Sequence, residues 1–374
     1  MGTIIVLVII LACILQQVFF GSLVRSFAIF MSAVIGMFVA LAFFEPLGQR
    51  FIESDFMAWR AHGLVIGLLF VVSFGILLAL SLKFLSADVA ISMIVDRVGG
   101  SVIAIVTGLV ISGTFLIALN FASGSNSFPY QRFSPADPDI GNPRKVLLNP
   151  DGFVAGAFGV ASSGSLGQNS FALVRAGMND TAALGRLSAD KGISPVAGKN
   201  VIRLPAVLRY APPGITDAEG KALPENPGND LVLLRLSMTK SVVGKDSPNF
   251  LLGQLHIVCK KKDDRALPNE GSGICVYPAG YMKTSTRVAL EPLSAQVPLA
   301  SADLDDGVKA IDFAFYIPAD LRPVLIEFKR NYVTAAPPVI GADEGPAVVG
   351  YDSAKAAPAP RPSPGTTRDP NAPR

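Results

Sequence analysis

Four runs of this chain are long and apolar enough to leave it little choice of environment: Ile4 to Phe20, Phe27 to Phe44, Gly63 to Leu82 and Val98 to Ala122. A helix needs about 20 predominantly apolar residues to cross the hydrocarbon core of a bilayer. Inside that core every backbone N–H and C=O must be satisfied within the chain, so the runs are predicted as helices and not strands. No Lys or Arg precedes the first run and no small-x-small site follows it, so it is expected to remain as a helix and not to be cleaved as a signal peptide.

Charge divides the chain in the same place. Up to residue 122 the only basic residues are Arg25, Arg50, Arg60, Lys83 and Arg97, and the only acidic ones Glu45, Glu53, Asp55, Asp88 and Asp96, all near the ends of the apolar runs. The net charge of +3 therefore belongs to the remainder, where acidic residues nearly balance basic ones. A nucleic-acid partner would require clustered Lys and Arg, so none is expected. The densest run, "KKKDDR" at 260 to 265, carries its own counter-charges and is expected to be a solvated loop.

The fourth run, with its approach "DRVGGSVIAIVTGLVISG", keeps a small residue every four positions at Gly100, Ala104, Gly108 and Ser112. The third repeats the pattern at Gly63, Gly67, Gly75 and Ala79, and the second at Ser32, Gly36 and Ala40. Lipid solvates Leu as well as another helix does, so helices associate in the membrane by close backbone approach, which small faces permit. Helix packing, in a bundle or by self-association, is the expected role of these faces. A pore along them is disfavoured because no ionisable residue lies deep in any run.

The combination of Asp96, Arg97, Gly100 and Gly108 with the apolar run that follows resembles the last membrane helix of the colicin V production protein family. The stretch "FFGSLVRSFAIFMSAVIGMFVALAFFEPLGQRF" is similar to the part of that family in which Gly and Arg precede the second helix and an aromatic and Pro follow it. The resemblance covers about residues 1 to 122. It implies a four-helix protein of the bacterial inner membrane connected with toxin export and envelope function, with no established reaction.

Arg25 follows the first run, and Lys83 and Arg97 flank the third loop, whereas Arg50 and Arg60 share the second loop with three acidic residues. The positive-inside tendency therefore predicts that the remainder of the chain is exported. That remainder opens with a linker, 123 to 149, rich in Ser, Pro, Asn and Asp. A mixed, partly helical segment follows at 150 to 199, with a helix start at Asn149, Pro150 and Asp151. From 200 the period changes to two. Leu234, Leu236 and Met238 alternate with Arg235, Ser237 and Thr239; Ile311, Phe313, Phe315 and Ile317 with Asp312, Ala314 and Tyr316; and Val324, Ile326 and Phe328 with Leu325, Glu327 and Lys329. Seven or eight such strands predict an antiparallel β-sandwich over 200 to 333, distantly resembling immunoglobulin-like modules. The Pro- and Ala-rich tail from 334 to 374 is expected to be disordered.

Chemistry-bearing patterns are sparse. His256 stands on the face of its strand opposite Leu255 and Ile257 and is expected to be solvated. "GISPVAGKN" resembles a phosphate loop but ends in Asn200 where Ser or Thr would bind magnesium. The SxxK spacings at Ser188 and Ser237 lack their companion motifs. Asp303, Asp305 and Asp306 before Gly307 read as a turn, since the distal Glu of a calcium loop is missing. No catalytic, cofactor or metal site is predicted. Cys259 and Cys275 fall on strands joined by a polar connection, and in an oxidising compartment a bridge between them is expected to add roughly 3 kcal/mol; Cys13 is a bystander in the first helix. The expected function is a membrane anchor for an exported module that binds envelope components or partner proteins, and the alternative is an export component whose bundle forms a conduit.

Overall fold

The computed structural model describes residues 1–84, 92–163, 171–198, 201–224, 226–239, 250–264, 270–297, 299 and 308–352. Four helices in it are long and apolar enough to cross a membrane: α1 (Gly2–Phe20), α2 (Leu23–Glu53), α3 (Ala61–Phe84) and α4 (Met93–Ala122). Leu7, Val8, Leu11 and Leu15 of α1 stay exposed, as residues bathed in lipid would. α2 outruns its apolar stretch, continuing past Glu45 and Pro46 to Glu53, and its extra turns stand against the rest of the protein. Gly48 lies there against the His62 ring, and Gln49 Oε1 is 3.5 Å from the Asn331 amide.

The small faces are occupied by neighbouring helices. Gly108 faces α1 so closely that a Cβ would stand 2.9 Å from Ile10 Cα, and Gly100 has the Gln17 side chain in the space a Cβ would take. Ala104 and Ser112, between and beyond them, are buried. Gly63 of α3 lies against the Ala118 carbonyl and Ala122, and Gly67 is in ordinary contact with Ala118. Gly75 departs from the expectation: nothing lies within 4 Å of its Cβ position. Gly108→Leu is therefore expected to separate α1 from α4 and lower the temperature at which the protein loses its fold in mild detergent. Leu at Val102, which is 57% exposed on the same helix, should leave it unchanged. Equal melting of the two variants would show that α1 does not depend on this face.

Residues 123 to 149 are not a free tether. Gly2 N donates to the Pro129 carbonyl and Arg144 N to the Arg132 carbonyl, and Tyr130 and Val146 bury against Val6 and Ile10 of α1. A segment of linker composition is held because α1 offers it an apolar end to cover. Helices α5 (Pro150–Ser162), α6 (Phe171–Val174) and α7 (Met178–Asp190) then lie over the same end of the bundle, where Gly113 of α4 accommodates the Pro150 carbonyl. All of this gathers at the α1 N-terminus, the α2–α3 connection and the α4 C-terminus, away from Arg25, Lys83 and Arg97.

The C-terminal region is rich in sheet. One sheet runs β13 (Val339–Ile340), β1 (Ile202–Tyr210), β3 (Asn229–Thr239), β10 (Val308–Pro318), β7 (Gly280–Met282), β8 (Arg287–Leu290) and β2 (Thr216–Asp217). A second runs β12 (Tyr332–Ala335), β11 (Leu321–Phe328), β5 (Leu255–Lys261) and β6 (Ile274–Val276), and β4 (Phe250–Leu251) pairs with β9 (Gln296–Val297). The alternating residues read from sequence do face inward: Leu234, Leu236, Met238, Phe313 and Phe315 share one core with Leu255, Ile257, Ile326 and Phe328 of the second sheet. Each such buried side chain contributes about 1.5–3 kcal/mol.

The region is not purely antiparallel, since β1–β13 and β2–β8 are parallel, and the helices beside it make it mixed. The expected disordered tail also begins too early. Its residues up to 352 complete the first sheet: β13 adds its edge, Arg209 donates to the Pro346 carbonyl at 2.9 Å and Tyr351 packs on the core. Short Pro- and Ala-rich stretches can pair with an existing strand edge, which composition alone does not reveal. The aspartates at 303 to 306, Asn200, Lys240 and the tail from 353 lie outside the described residues.

Candidate functional site at the membrane junction

The second sheet has two unlike faces. One meets the apolar core; the other, which alternation assigned to solvent, is roofed by α6, α7 and the end of the bundle. His256 is consequently 1% exposed and Glu327 beside it equally buried, in place of the solvated histidine expected. Register explains their meeting. His256 on β5 stands directly opposite Glu327 on β11, and its Nε2 is 3.0 Å from Glu327 Oε2.

Arg175, between α6 and α7, closes the chain of charges. Its Nη1 donates to Glu327 Oε1 and its Nε to Glu45 Oε1 of α2 at 2.5 Å. One guanidinium thus ties the membrane bundle to the sheet. Burial works against its charge, but Glu45 and Glu327 more than offset that and hold it firmly protonated. Arg132 and Asp180 form a neighbouring pair at 2.6 Å, and Tyr130 donates to the Asp151 carboxylate.

The cysteines separate instead of joining. Cys259 is opposite Ile274 and points into the core, whereas Cys275 is opposite Val258 and points to the His256 side. The bridge expected between them is absent and all three cysteines are free, because adjacent positions in the ladder face opposite sides of a sheet. Core burial pushes the Cys259 thiol up to about 12. Cys275 is only partly buried, and its Sγ lies against Gly177, the residue preceding α7, where a Cβ would stand 2.8 Å away. The β5–β6 register puts Cys275 on the same face of the sheet as His256, diagonally across the ladder from that residue. Burial disfavours the imidazolium, but Cys275 and Glu327 outweigh it and push the His256 pKa up to about 10.

A pH dependence follows. A group whose pKa is raised by folding stabilises fully below its unfolded value and loses that contribution as pH rises through the folded one. His256 should therefore stabilise the protein up to about pH 6.5, with loss extending to about pH 10. Lys329 acts in the opposite sense, since burial lowers its amine to about 8 and relieves the protein between there and about 10.5. Thermal melts between about pH 6.5 and pH 8, below the range in which Lys329 contributes, should fall for the parent and flatten for His256→Gln; parallel slopes in the two proteins would contradict the pairing.

A second contact locks the same junction. Arg330, at the β11–β12 turn, donates to the Phe121 carbonyl in the last turn of α4 at 2.9 Å and to the Ala182 carbonyl of α7 at 2.7 Å. Gly185 of α7 makes room for its side chain. Of the small residues expected to pack helices, Gly63 lies nearest this junction, while Gly100, Ala104 and Gly108 serve the bundle's interior. Sequence reasoning found none of Glu45, Arg175, His256 or Glu327 as a site. Its available signals were single carboxylates, "FFEP" and "LIEF", set in otherwise apolar runs. No family model, curated protein or solved structure matches the chain.

Proposed function

We propose that this is an integral protein of the bacterial inner membrane, related through residues 1 to 122 to the colicin V production family. Its bundle acts as a platform that holds the β-rich domain docked on the exoplasmic face, where the domain binds envelope components or partner proteins. The observation that carries this reading is the chain Glu45–Arg175–Glu327, in which one buried cation is shared by a membrane helix and a sheet. A domain that worked at a distance would have no use for such a contact, whose rupture leaves charges in apolar surroundings. The two sheets around one core support a sandwich as the form of the module. The small face of α4 at Gly100 and Gly108, and that of α3 at Gly63, are filled by neighbours, which favours the platform over the conduit.

The test uses the full chain in right-side-out vesicles. A membrane-impermeant amine reagent should label Lys221, Lys261 and Lys283, which are exposed on the β-rich domain, and spare Lys83 at the opposite end of the bundle. Labelling of Lys83 alone would place the domain in the cytoplasm. Proteoliposomes should show no solute flux above protein-free controls, and crosslinking from the labelled face should recover envelope proteins; protein-dependent flux would transfer the reading to a conduit.

A further inference from the structure

We propose that Cys275 is the nucleophile of an acyl-transfer centre that takes its acyl group from an ester of a membrane lipid. Three neighbouring strands place the parts side by side: Cys275 on β6, His256 on β5 and Glu327 on β11, all on the roofed face of one sheet. Glu327 Oε2 stands 3.0 Å from the imidazole Nε2, Arg175 holds Glu327, and the thiol lies diagonally across the β5–β6 ladder from the imidazole on the same face of the sheet. This is the arrangement of nucleophile, base and orienting carboxylate on which thiol acyl chemistry depends. Gly177 brings Sγ to the start of α7, a helix of 13 residues whose first-turn amides lack partners within the helix and can stabilise the oxyanion formed on attack. Any side chain at 177 would occupy that approach.

The surroundings supply room and a route. Gly177, against which the thiol lies, also lines a cavity of about 360 Å³ together with Gly273, Asn179 and Phe171. Asn179 is 8% exposed, and its Oδ1 has no hydrogen-bond partner among the described residues, as a group awaiting a polar ligand would. Phe171 forms part of a second, apolar cavity of about 500 Å³ whose other wall includes Phe38, Val39, Ala42 and Phe43 of α2. Those residues belong to a membrane-spanning helix, so the chains beside them in a bilayer are lipid acyl chains. A lipid tail in the apolar cavity would carry its ester toward the polar one.

The reaction balances without an oxidant or reductant. The Sγ proton moves to His256, Sγ bonds to the ester carbonyl carbon, the carbonyl C–O bond to the alcohol breaks, and the departing alkoxide takes the proton from His256. S-acyl Cys275 and a lysolipid result. Water then attacks the thioester carbonyl, giving the free acid and the restored thiol. Glu327 is a positioning residue in this scheme.

Full-length protein in nanodiscs of phosphatidylglycerol with an alkyne-tagged palmitoyl chain provides the test. The tag should appear on Cys275, be removed by neutral hydroxylamine as a thioester, and persist in Cys259→Ala and Cys13→Ala. Release of tagged fatty acid should fall by about 100-fold or more in Cys275→Ala and His256→Gln. Glu327→Gln should narrow the pH range of activity more than it lowers binding of the lipid. Because His256→Gln also alters a buried pair, parent protein alone provides a second measurement: iodoacetamide should alkylate Cys275 at least about 10-fold faster than the core thiol Cys259. A tag absent from the parent or found on another residue, undiminished release in Cys275→Ala, or equal alkylation of the two thiols would overturn the proposal.

Discussion

Arg175→Ala should destabilise the protein by about 3–5 kcal/mol, the cost of removing one partner from a buried ion pair. The side chain is 6% exposed and serves two carboxylates, of which Glu327 is itself only 2% exposed. Its loss leaves Glu327 to His256 alone and leaves Glu45, on α2, facing a gap where the domain was tied. Truncating the more open end of the chain, Glu45→Gln, should cost less, because that carboxylate is 37% exposed and water can replace part of what is lost. The double variant Arg175→Met/Glu327→Gln should recover part of the deficit of Arg175→Ala, since it removes the stranded charge together with its partner. Thermal unfolding in mild detergent, read beside proteolysis of residues 123 to 149, measures all three. Arg175→Ala within about 0.5 kcal/mol of the parent would mean that the charge chain does not hold the junction.

The bundle was legible in the sequence because the bilayer imposes a single solution. An apolar run of sufficient length must become a helix, and a small residue every fourth position must lie on one face of it. Gly63, Gly100 and Gly108 accordingly meet neighbouring helices, but the rule says nothing about where a neighbour ends, and Gly75 has none. The strands were legible for a related reason: Leu234, Leu236 and Met238 alternate with polar residues, so one face had to be buried.

What alternation does not reveal is whether the other face meets water. His256 and Glu327 look like solvated positions on their strands, and the difference lies in α6 and α7, which no local signal places over them. The same gap hid the fate of the cysteines. Their separation in sequence suited a hairpin, but the one-residue offset of the β5–β6 register, with Cys259 opposite Ile274 and Cys275 opposite Val258, decided that they face apart. Register also set His256 against Glu327. The junction site is thus a product of strand pairing and helix docking, both long-range, whereas the membrane part is a product of local composition.

Arg330→Met should cost about 2–4 kcal/mol and loosen the domain from α4. Arg330 is 2% exposed and has no carboxylate partner among the described residues, an arrangement that a buried cation rarely tolerates. Burial, reinforced by Arg186, accordingly lowers its pKa to about 9. What compensates is the end of a helix. The Phe121 carbonyl belongs to the last turn of α4, where carbonyls lack amide partners and the helix dipole presents its negative end. The guanidinium bonds that carbonyl and the Ala182 carbonyl together, and its centre lies 5.3 Å from the Phe121 ring. Two charge-assisted bonds at about 1.5–3 kcal/mol each exceed the expected stabilisation, because removing the cation also removes the cost of burying it. Arg330→Lys should lie close to Arg330→Met, since an ammonium lacks the planar fork that reaches two carbonyls at once. Gly185→Ala should reproduce the defect from the other side, as its added methyl would occupy the space of the Arg330 side chain. Arg330→Met melting at or above the parent temperature would show that desolvation outweighs the two bonds, leaving Arg175 as the tie between membrane and sheet.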